Sequence, residues 1–162
     1  MFSIIAAVGK KKELGKKGGL CFVLPSDLKH FKKTTAGHKI MMGSATFKSL
    51  PKMLPGRKHI VLTRGDEEYP EEVDVYHHVD EIVKLYKDSD EEIFVIGGGS
   101  IYKLMLPYCN KLYLTEVDAT DKEADTFFPD FNKREFIRGV TGSEIDNGYN
   151  IEYVEYVRKE RL

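Results

Sequence analysis

The chain has 162 residues, of which 41% are hydrophobic and 31% are charged, and its formal net charge is −1. A chain of this length can bury one substantial core, so we expect a single domain over residues 1–162. The near-neutral charge argues against a nucleic-acid surface, and the apolar runs are too short to span a membrane.

The cysteines and the first residues of the chain indicate a cytoplasmic protein. Cys21 and Cys109 show neither a metal-ligand spacing nor a disulfide framework, so we expect two reduced thiols. In the opening MFSIIAAVGKKK the apolar residues precede the lysines, which is the reverse of a signal peptide. The lysine-rich run GKKKELGKKGG is typical of a solvated loop, but near a cleft it would attract anions.

Short β-rich runs alternate with helix-like segments over the first two thirds of the chain. Strands are predicted at residues 2–8, 39–43, 58–63, 73–76, 93–96, 111–117, 136–141 and 151–157, and helices near 25–35, 44–50, 79–87 and 99–106. The unbroken apolar runs FSIIAAV and IFVIG predict central strands of a parallel sheet. An Asn-Gly pair between the last two runs predicts an antiparallel hairpin. We therefore expect an α/β fold with a mostly parallel eight-stranded sheet, about four flanking helices and a C-terminal edge hairpin.

One predicted strand-to-helix junction contains three consecutive glycines. Gly97, Gly98 and Gly99 follow a predicted central strand and precede the helix-like segment SIYKLML. Ligands of parallel sheets bind beyond the carboxyl ends of the strands, where glycines let the backbone approach a ligand and a helix N-terminus offers N–H groups to an anion. The run is not G-x-G-x-x-G, so a tight turn without a ligand is an equal alternative.

The segment MMGSATFKSL forms a second junction of this kind. Gly43 ends a predicted strand, Ser44 is expected to cap the following helix, and the Thr46 hydroxyl falls in the first helical turn. Capping alone would explain Ser44. Two glycine junctions at one edge of a sheet fit a ligand with two or more phosphates, and a dinucleotide is the natural candidate.

The segment CFVLPSDLKHFKK predicts a helix with a carboxylate in its first turn. Pro25 suits the start of this helix, and Asp27 falls on the same side as Phe31. In one interpretation Asp27 only complements the helix dipole. In the other, Leu24, Leu28 and Phe31 help to bury the carboxylate, which then needs a donor partner such as a pair of ligand N–H groups.

Two arginines flank the predicted strand in LPGRKHIVLTR. Arg57 follows a Pro-Gly turn at the start of this strand, and its guanidinium forms a fork that matches a carboxylate. Arg64 follows the strand at its ligand-facing end and could meet a phosphate. An exposed arginine at a strand end is common, however, and needs no ligand.

Taken in chain order, these motifs resemble those of bacterial dihydrofolate reductases from Met1 to about Arg158. The matching segments are SIIAAV, LPSDL, MMGSATFKSLP, LPGRK, FVIGGGSIY, LYLTEV and DTFFPDF. The resemblance implies NADPH-dependent reduction of 7,8-dihydrofolate to tetrahydrofolate, which would supply one-carbon and thymidylate metabolism. It also implies dihydrofolate and antifolates as small-molecule partners. We expect a monomer with no nucleic-acid or membrane partner.

The resemblance assigns a role to each residue at a matching position. No metal site is expected, because the adjacent His77 and His78 lie at a predicted strand end and point apart. Catalytic roles fall on Asp27, Phe22 and Thr115. Substrate-binding roles fall on Ile5, Ala7, Leu28, Phe31, Leu50, Leu54, Arg57, Ile96 and Tyr102. NADPH-binding roles fall on Ala7, Gly15, Leu20, Gly43, Ser44, Ala45, Thr46, Thr63, Arg64, Gly97, Gly98, Gly99, Ser100 and Ile101.

The chemistry implied by the resemblance is a hydride transfer to pterin C6 with protonation at N5. Asp27, helped by Thr115, would hold the 2-amino and N3 groups of the pterin and raise the proton affinity of N5. Arg57 would bind the α-carboxylate of the glutamate tail. A cis peptide bond is implied between Gly97 and Gly98, and residues 9–24 would form a lid over the nicotinamide.

Three departures from the family pattern fall on the lid and the cofactor site. Cys21 and Phe22 replace the usual proline and tryptophan, so no indole N–H is present to hold a water. The pair Gly18 and Gly19 should loosen the lid. Ser44 stands where the family usually has arginine, which removes one cation from the cofactor site.

Two other functions share parts of this pattern. A pyrimidine reductase of riboflavin synthesis has the same fold, but its substrate has no need of the acid in LPSDL together with the arginine in LPGRK. A non-catalytic NADP-binding module would need only the glycine junctions. The complete set of substrate-side residues favours the reductase of dihydrofolate over both.

Overall fold

A computed structural model describes residues 1–160, so residues 161 and 162 of the predicted domain lie outside the described residues. The strands are β1 Phe2–Val8, β2 Glu13–Lys16, β3 Gly19–Leu20, β4 Lys39–Gly43, β5 His59–Leu62, β6 Asp74–Tyr76, β7 Ile93–Val95, β8 Cys109–Val117, β9 Thr126–Phe127, β10 Phe136–Asp146 and β11 Tyr149–Arg158. The α-helices are α1 Pro25–Thr35, α2 Ser44–Ser49, α3 Val79–Tyr86 and α4 Gly99–Met105, and short 3-10 turns cover Leu106–Tyr108 and Lys133–Glu135.

Eight strands form one sheet in the order β10-β11-β8-β1-β7-β4-β5-β6. Strand β1 pairs in parallel with β7 and β8, and β4 to β6 continue the parallel part of the sheet. Strand β11 runs antiparallel to β8 and to the edge strand β10. The predicted α/β fold, with central β1 and β7 and an antiparallel hairpin at the edge, is confirmed.

The hairpin turn uses the predicted Asn-Gly pair. Asn147 and Gly148 have φ angles of 50° and 84°, so both lie in the left-handed region that a two-residue hairpin turn requires. Glycine adopts this conformation without a steric penalty, and asparagine tolerates it better than most residues. The turn therefore joins strands that are longer than predicted and reach to Asp146 on one side and Tyr149 on the other.

Apolar residues of the central strands are buried on both faces of the sheet. Ile4 and Met41 belong to one hydrophobic cluster, whereas their neighbours Ile5 and Met42 belong to another. Consecutive strand residues point to opposite faces, which explains why these strands show no polar alternation. Within residues 1–160, no helix is long and apolar enough to cross a membrane.

A second, three-stranded sheet in the order β3-β2-β9 was not predicted. It folds the lid segment, residues 9–24, into a hairpin whose turn places Lys17 and Gly18 at φ angles of 50° and 78°. Gly18, which was expected to loosen the lid, thus occupies a turn position that suits glycine. The strands are two to four residues long and poor in β-branched side chains, so their sequences give little strand signal.

The lid segment is attached to the loop that leads into β9. The Asp125 N–H donates to the carbonyl of Gly15 at 2.9 Å, and the Asp125 carboxylate accepts the N–H of Lys17 at 2.9 Å. Glu13 is only 1% exposed, and its carboxylate accepts the N–H of Asp121 at 2.6 Å. These bonds hold the lid beside the carboxyl edge of the large sheet.

Candidate active site

Asp27 and Thr115 meet at the carboxyl end of β8, as the motifs predicted. Asp27 is half-buried in the first turn of α1, and the Thr115 hydroxyl donates to its Oδ1 at 2.5 Å. Thr115 is 3% exposed and pairs in the sheet with Ala7 of β1. The pair therefore lies where the central strands end, which is the edge at which parallel sheets bind ligands.

Burial raises the pKa of Asp27, and this is the largest influence on the carboxyl group. The hydrogen bond from Thr115 and the positive charge on protonated His30 act in the opposite direction, while the nearby carboxylate of Asp146 raises the pKa further. The raised pKa shows that the ionised form of Asp27 is poorly solvated and would gain from donors on a ligand.

The apolar residues around Asp27 differ from the expectation at one position. Leu24 is 7% exposed, but Leu28 is 53% exposed and therefore does not bury Asp27 in this structure. On the sheet side, the Thr115 hydroxyl contacts the Asp27 carboxylate directly.

Five of the residues predicted to bind the substrate lie in one hydrophobic cluster on the Asp27 side of β1. The buried member is Ile5, and the half-buried members are Phe31, Leu50, Leu54 and Ile96. They come from α1, the end of α2, the following loop and the end of β7. Half-buried apolar side chains that converge beside a carboxylate form a suitable wall for an aromatic ligand.

Arg57 is oriented by three neutral acceptors. Its Nε donates to the Thr35 hydroxyl at 3.1 Å, and its two terminal nitrogens donate to the carbonyls of Pro55 at 2.6 Å and Lys32 at 2.7 Å. Thr35 is buried at the C-terminal end of α1. Because all three partners are uncharged, the guanidinium keeps its full attraction for an anion.

His59 holds the turn before β5 and was not recognised from the sequence. Its side chain is buried, its Nε2 accepts the N–H of Leu54 at 3.1 Å, and its Nδ1 lies 3.0 Å from the carbonyl of Arg57. This pattern fixes the neutral ring with the proton on Nδ1. Burial lowers the pKa of His59, in agreement with that state. A histidine inside a strand motif carries no sequence signal for such a role.

The two glycine junctions are adjacent, as predicted. The Gly43 N–H donates to the carbonyl of Gly97 at 3.0 Å, and the peptide bond between Gly97 and Gly98 is cis. A Cβ atom on Gly98 would lie 3.7 Å from the Thr46 hydroxyl oxygen, so that hydroxyl faces the glycine turn. Neither α2 nor α4 has a side-chain cap. The first-turn N–H groups of both helices are therefore free to bind an anion.

The expectation that Ser44 caps α2 is wrong. The capping position belongs to Gly43, whose φ and ψ of −84° and 171° are extended, and Ser44 is already the first helical residue. Strand β4 thus runs to the last residue before the helix. The adjoining cofactor candidates Ala45 and Ser100 are exposed, whereas Ile101 is 9% exposed and touches the glycine junction.

Gly99 is needed because the small sheet approaches it closely. A Cβ atom at this position would lie 2.9 Å from the Thr126 side chain of β9. The third glycine therefore belongs to the contact between α4 and the lid sheet rather than to the phosphate turn itself. This explains a run of three glycines where the turn alone would need fewer.

The region after β5 contains a carboxylate that was not predicted. Thr63 is 6% exposed and its hydroxyl accepts the N–H of Gly65 at 3.1 Å, while Arg64 is exposed. Glu67 folds back to within 3.4 Å of the Thr63 hydroxyl and forms an ion pair with Lys48 of α2 at 3.3 Å. An acid therefore lies beside the predicted phosphate-binding residues.

The remaining predicted residues divide into buried and exposed positions. Tyr102 is 5% exposed, and its hydroxyl donates to the Ile5 carbonyl at 2.7 Å. Phe22 is 5% exposed, and its ring lies 5.3 Å from that of Tyr149. Gly15 is buried in β2, whereas Leu20 in the lid is 71% exposed. Phe22 and Tyr102 thus belong to two different hydrophobic clusters of the core.

An α/β sheet with two free helix starts beside a half-buried acid is typical of a nucleotide-dependent enzyme. A sequence model of the dihydrofolate reductase family matches residues 1–158. The chain therefore belongs to the dihydrofolate reductase family, as its motifs predicted.

Individual relatives agree along nearly the whole chain. The chain is 36% identical to dihydrofolate reductase type 3 of Salmonella typhimurium, over 98% of this chain and 99% of the relative. It is 34% identical to dihydrofolate reductase of Bacillus subtilis, over 98% and 95% of the two chains. A solved structure of dihydrofolate reductase from Enterococcus faecalis, complexed with NADP(H) and RAB-propyl, superposes with a TM-score of 0.86 at 32% identity and covers 99% of this chain and 97% of that one. The predicted enzyme class, an oxidoreductase, is confirmed.

Proposed function

We propose that the protein reduces 7,8-dihydrofolate to 5,6,7,8-tetrahydrofolate, with NADPH as the cofactor. The observation that carries this proposal is the Asp27–Thr115 pair, which lies beside a half-buried apolar wall and an arginine with neutral partners. A pterin with an aminobenzoyl-glutamate tail presents N–H donors, an aromatic ring and a carboxylate. Each part of this ligand has a complementary group in the cleft.

On the substrate side, Asp27 would accept the 2-amino and N3 donors of the pterin, with Thr115 fixing the carboxylate. Ile5, Phe31 and the other wall residues would contact the pterin and the aminobenzoyl ring. Ala7 would contribute backbone at the end of β1, and Leu28 would close over the ring from its exposed position on α1. Asp27, whose pKa is raised by burial, would raise the proton affinity of N5 through the bound tautomer and a water.

The residues on the other side of the cleft fit a pyrophosphate-containing cofactor. The free N–H groups of α2 and α4 converge at the glycine turn, with the Thr46 hydroxyl beside them. When bound there, NADPH would supply a hydride for pterin C6. The protein would hold the two ligands in register and exclude water. The lid segment, which is bonded to the loop before β9, would exclude water through residues that include Gly15 and Leu20.

Loss of NADPH absorbance on addition of dihydrofolate tests the proposal directly. The expected result is NADPH consumption that depends on dihydrofolate and stops when an antifolate is added. Consumption only with a phosphorylated pyrimidine substrate would support the riboflavin-pathway alternative. NADPH binding without consumption of either substrate would support the non-catalytic module.

A cytoplasmic location, a monomeric state and a supply role in one-carbon and thymidylate metabolism stay predictions.

Arg64→Ala is expected to lower the preference for NADPH over NADH by about ten- to a hundredfold. The family pattern places Arg64 at the 2′-phosphate, and a charge-assisted hydrogen bond contributes about 1.5 to 3 kcal/mol. Because Ser44 supplies no cation here, the preference depends mainly on this arginine. Michaelis constants for both cofactors, in the parent and the variant, measure the effect.

Glu67→Gln is the matched control for this prediction, because it changes charge in the same place with the opposite sign. The carboxylate of Glu67 lies beside Thr63 and pairs with Lys48, so its loss should strengthen NADPH binding. A parent that uses NADH as well as NADPH, or an Arg64→Ala variant with the full preference, would contradict the assignment.

His59→Asn is expected to raise the Michaelis constant for dihydrofolate by about tenfold and to leave that for NADPH unchanged. Asparagine can reach the carbonyl of Arg57 but is too short to accept the N–H of Leu54. The turn that carries Leu54 and Arg57, both proposed to bind the substrate, should therefore loosen. Steady-state kinetics with each ligand varied in turn provides the measurement.

The same variant tests a pH dependence of stability. The pKa of His59 is lowered in the folded protein, so the unfolded chain binds the proton first as pH falls. Stability of the parent should therefore decline below about pH 6.5, the ordinary histidine value. His59→Asn should remove that part of the decline. An identical decline in both proteins would show that the pKa of His59 does not differ between the folded and the unfolded state.

A further inference from the structure

Helix α1 begins without a cap of its own. Its capping position is Leu24, whose side chain cannot accept a hydrogen bond, and Pro25 has no N–H. The N–H of Leu28 already donates to the Leu24 carbonyl at 3.0 Å. This leaves two N–H groups of the first turn, those of Ser26 and Asp27, without a helical partner.

Both of these N–H groups donate to one carboxylate from the other end of the chain. Oδ2 of Asp146 lies 2.8 Å from the Ser26 nitrogen and 3.3 Å from the Asp27 nitrogen. Asp146 is the last residue of β10 and is 6% exposed. A buried carboxylate that faces helix N–H groups is stabilised by them and fixes the position of the helix start.

The hairpin turn fastens the same segment at a second point. Asn147, which follows Asp146, donates from its side-chain amide to the carbonyl of Val23 at 2.9 Å. The turn itself is fixed by the positive φ angles of Asn147 and Gly148. The edge hairpin therefore holds residues 23–27 at two points, through Asp146 and through Asn147.

We infer that Asp146 is a positioning residue for the proposed reaction: its carboxylate replaces the missing side-chain cap of α1 and thereby holds Asp27 against Thr115. This inference rests on the proposed function. The backbone N–H of the catalytic acid is itself one of the two groups that Asp146 binds. A displacement of the hairpin should therefore also move the backbone of Asp27, and with it the carboxylate.

Asp146 also acts on Asp27 through charge. A second negative charge disfavours ionisation, so Asp146 raises the pKa of Asp27, as burial does to a greater extent. The other polar and titratable groups that interact with Asp27 are His30 on the same helix and, on neighbouring elements, Tyr102 on α4, Thr115 on β8, Glu144 on β10 and Tyr153 on β11. Removal of the Asp146 charge should lower the pKa of Asp27.

Three variants separate position from charge. Asp146→Ala removes both the acceptor and the charge, and turnover should fall about tenfold or more. Asp146→Asn keeps an acceptor for the helix N–H groups and should recover most of that loss. Glu144→Gln is the matched control, because it removes a neighbouring charge on the same strand but no bond to α1. It should leave turnover close to that of the parent.

The pKa of Asp27, followed by carboxyl NMR titration without ligands, provides a readout that does not depend on activity. We expect a lower pKa in Asp146→Asn and a matching shift of the pH–rate profile. Unchanged turnover in folded Asp146→Ala, or an unchanged pKa in Asp146→Asn, would overturn the inference. If the alanine variant does not fold, the asparagine titration decides alone. Absence of dihydrofolate reduction in the parent would refute the proposed function, while the titration would still test the contact.

Discussion

Asp27→Asn should lower turnover at neutral pH by about a hundred- to ten-thousandfold while the protein stays folded. Asparagine has the same size and can still accept the Thr115 hydroxyl, so the local geometry is kept. It cannot carry the negative charge that, in the proposed mechanism, would orient the pterin and raise the proton affinity of N5. The loss should shrink toward about pH 5, because solvent then supplies more of the proton. Steady-state turnover across the pH range measures it.

The stability of the same variant gives an independent check with a defined sign. Burial raises the pKa of folded Asp27, so the unfolded chain loses its proton first as pH increases. Stability is therefore lost as pH rises from the unfolded value, about 3.9, through the folded value. Asn at this position has no such cost, and the variant should be at least as stable as the parent at neutral pH. Catalysis and stability thus make opposite demands on this position.

Asp80→Asn provides the matched control, since Asp80 is an exposed acid in the first turn of α3. If Asp27 acted only on its helix dipole, the two substitutions would have similar small effects on stability and none on turnover. Turnover of Asp27→Asn close to that of the parent between about pH 5 and pH 8 would refute the catalytic assignment.

Long apolar runs made the large sheet predictable from the sequence. Runs such as FSIIAAV are buried on both faces, and a continuous hydrophobic segment has few other structures available. The strands of the small sheet were missed because hydrogen bonds to the loop before β9, rather than their own side chains, define them. Local propensity contains no information on such pairing.

The site residues also divide into those that the sequence predicts and those that depend on contacts between distant parts of the chain. Asp27, Thr115 and Arg57 lie in motifs whose spacing matches a family, so their convergence could be expected. Asp146 could not be found in this way, because its partner N–H groups lie up to 120 residues away along the chain. Its position before Asn-Gly is explained by the turn alone, and a turn residue gives no signal for a distant helix cap.

Ser44 shows why a local rule failed. Serine before a helical segment predicts a cap, but the parallel strand β4 keeps its extended backbone through Gly43. The sheet therefore sets the helix start one residue earlier than side-chain preference would. This shift leaves the first-turn N–H groups of α2 without a side-chain acceptor, which suits a phosphate ligand better than a capped helix would.

Arg57→Leu should raise the Michaelis constant for dihydrofolate by about ten- to a hundredfold, the value of one charge-assisted contact. For a pterin that lacks the glutamate tail, the increase should be small, because that substrate has no α-carboxylate to lose. Leucine also leaves the Thr35 hydroxyl and the Lys32 carbonyl without their donor, so some general loss of stability is expected.

Comparison of the two substrates separates these effects. A distorted cleft would impair both substrates alike, because in the proposed binding mode both would contact the apolar wall and Asp27. A lost carboxylate contact would impair only the substrate with the tail. Arg57→Lys is the matched control, because it keeps the positive charge but cannot form the two parallel hydrogen bonds of a guanidinium. Its Michaelis constant for dihydrofolate should lie between those of the parent and Arg57→Leu. Equal losses for both substrates in Arg57→Leu would exclude the contact, since the three neutral partners of Arg57 would then account for everything the arginine does.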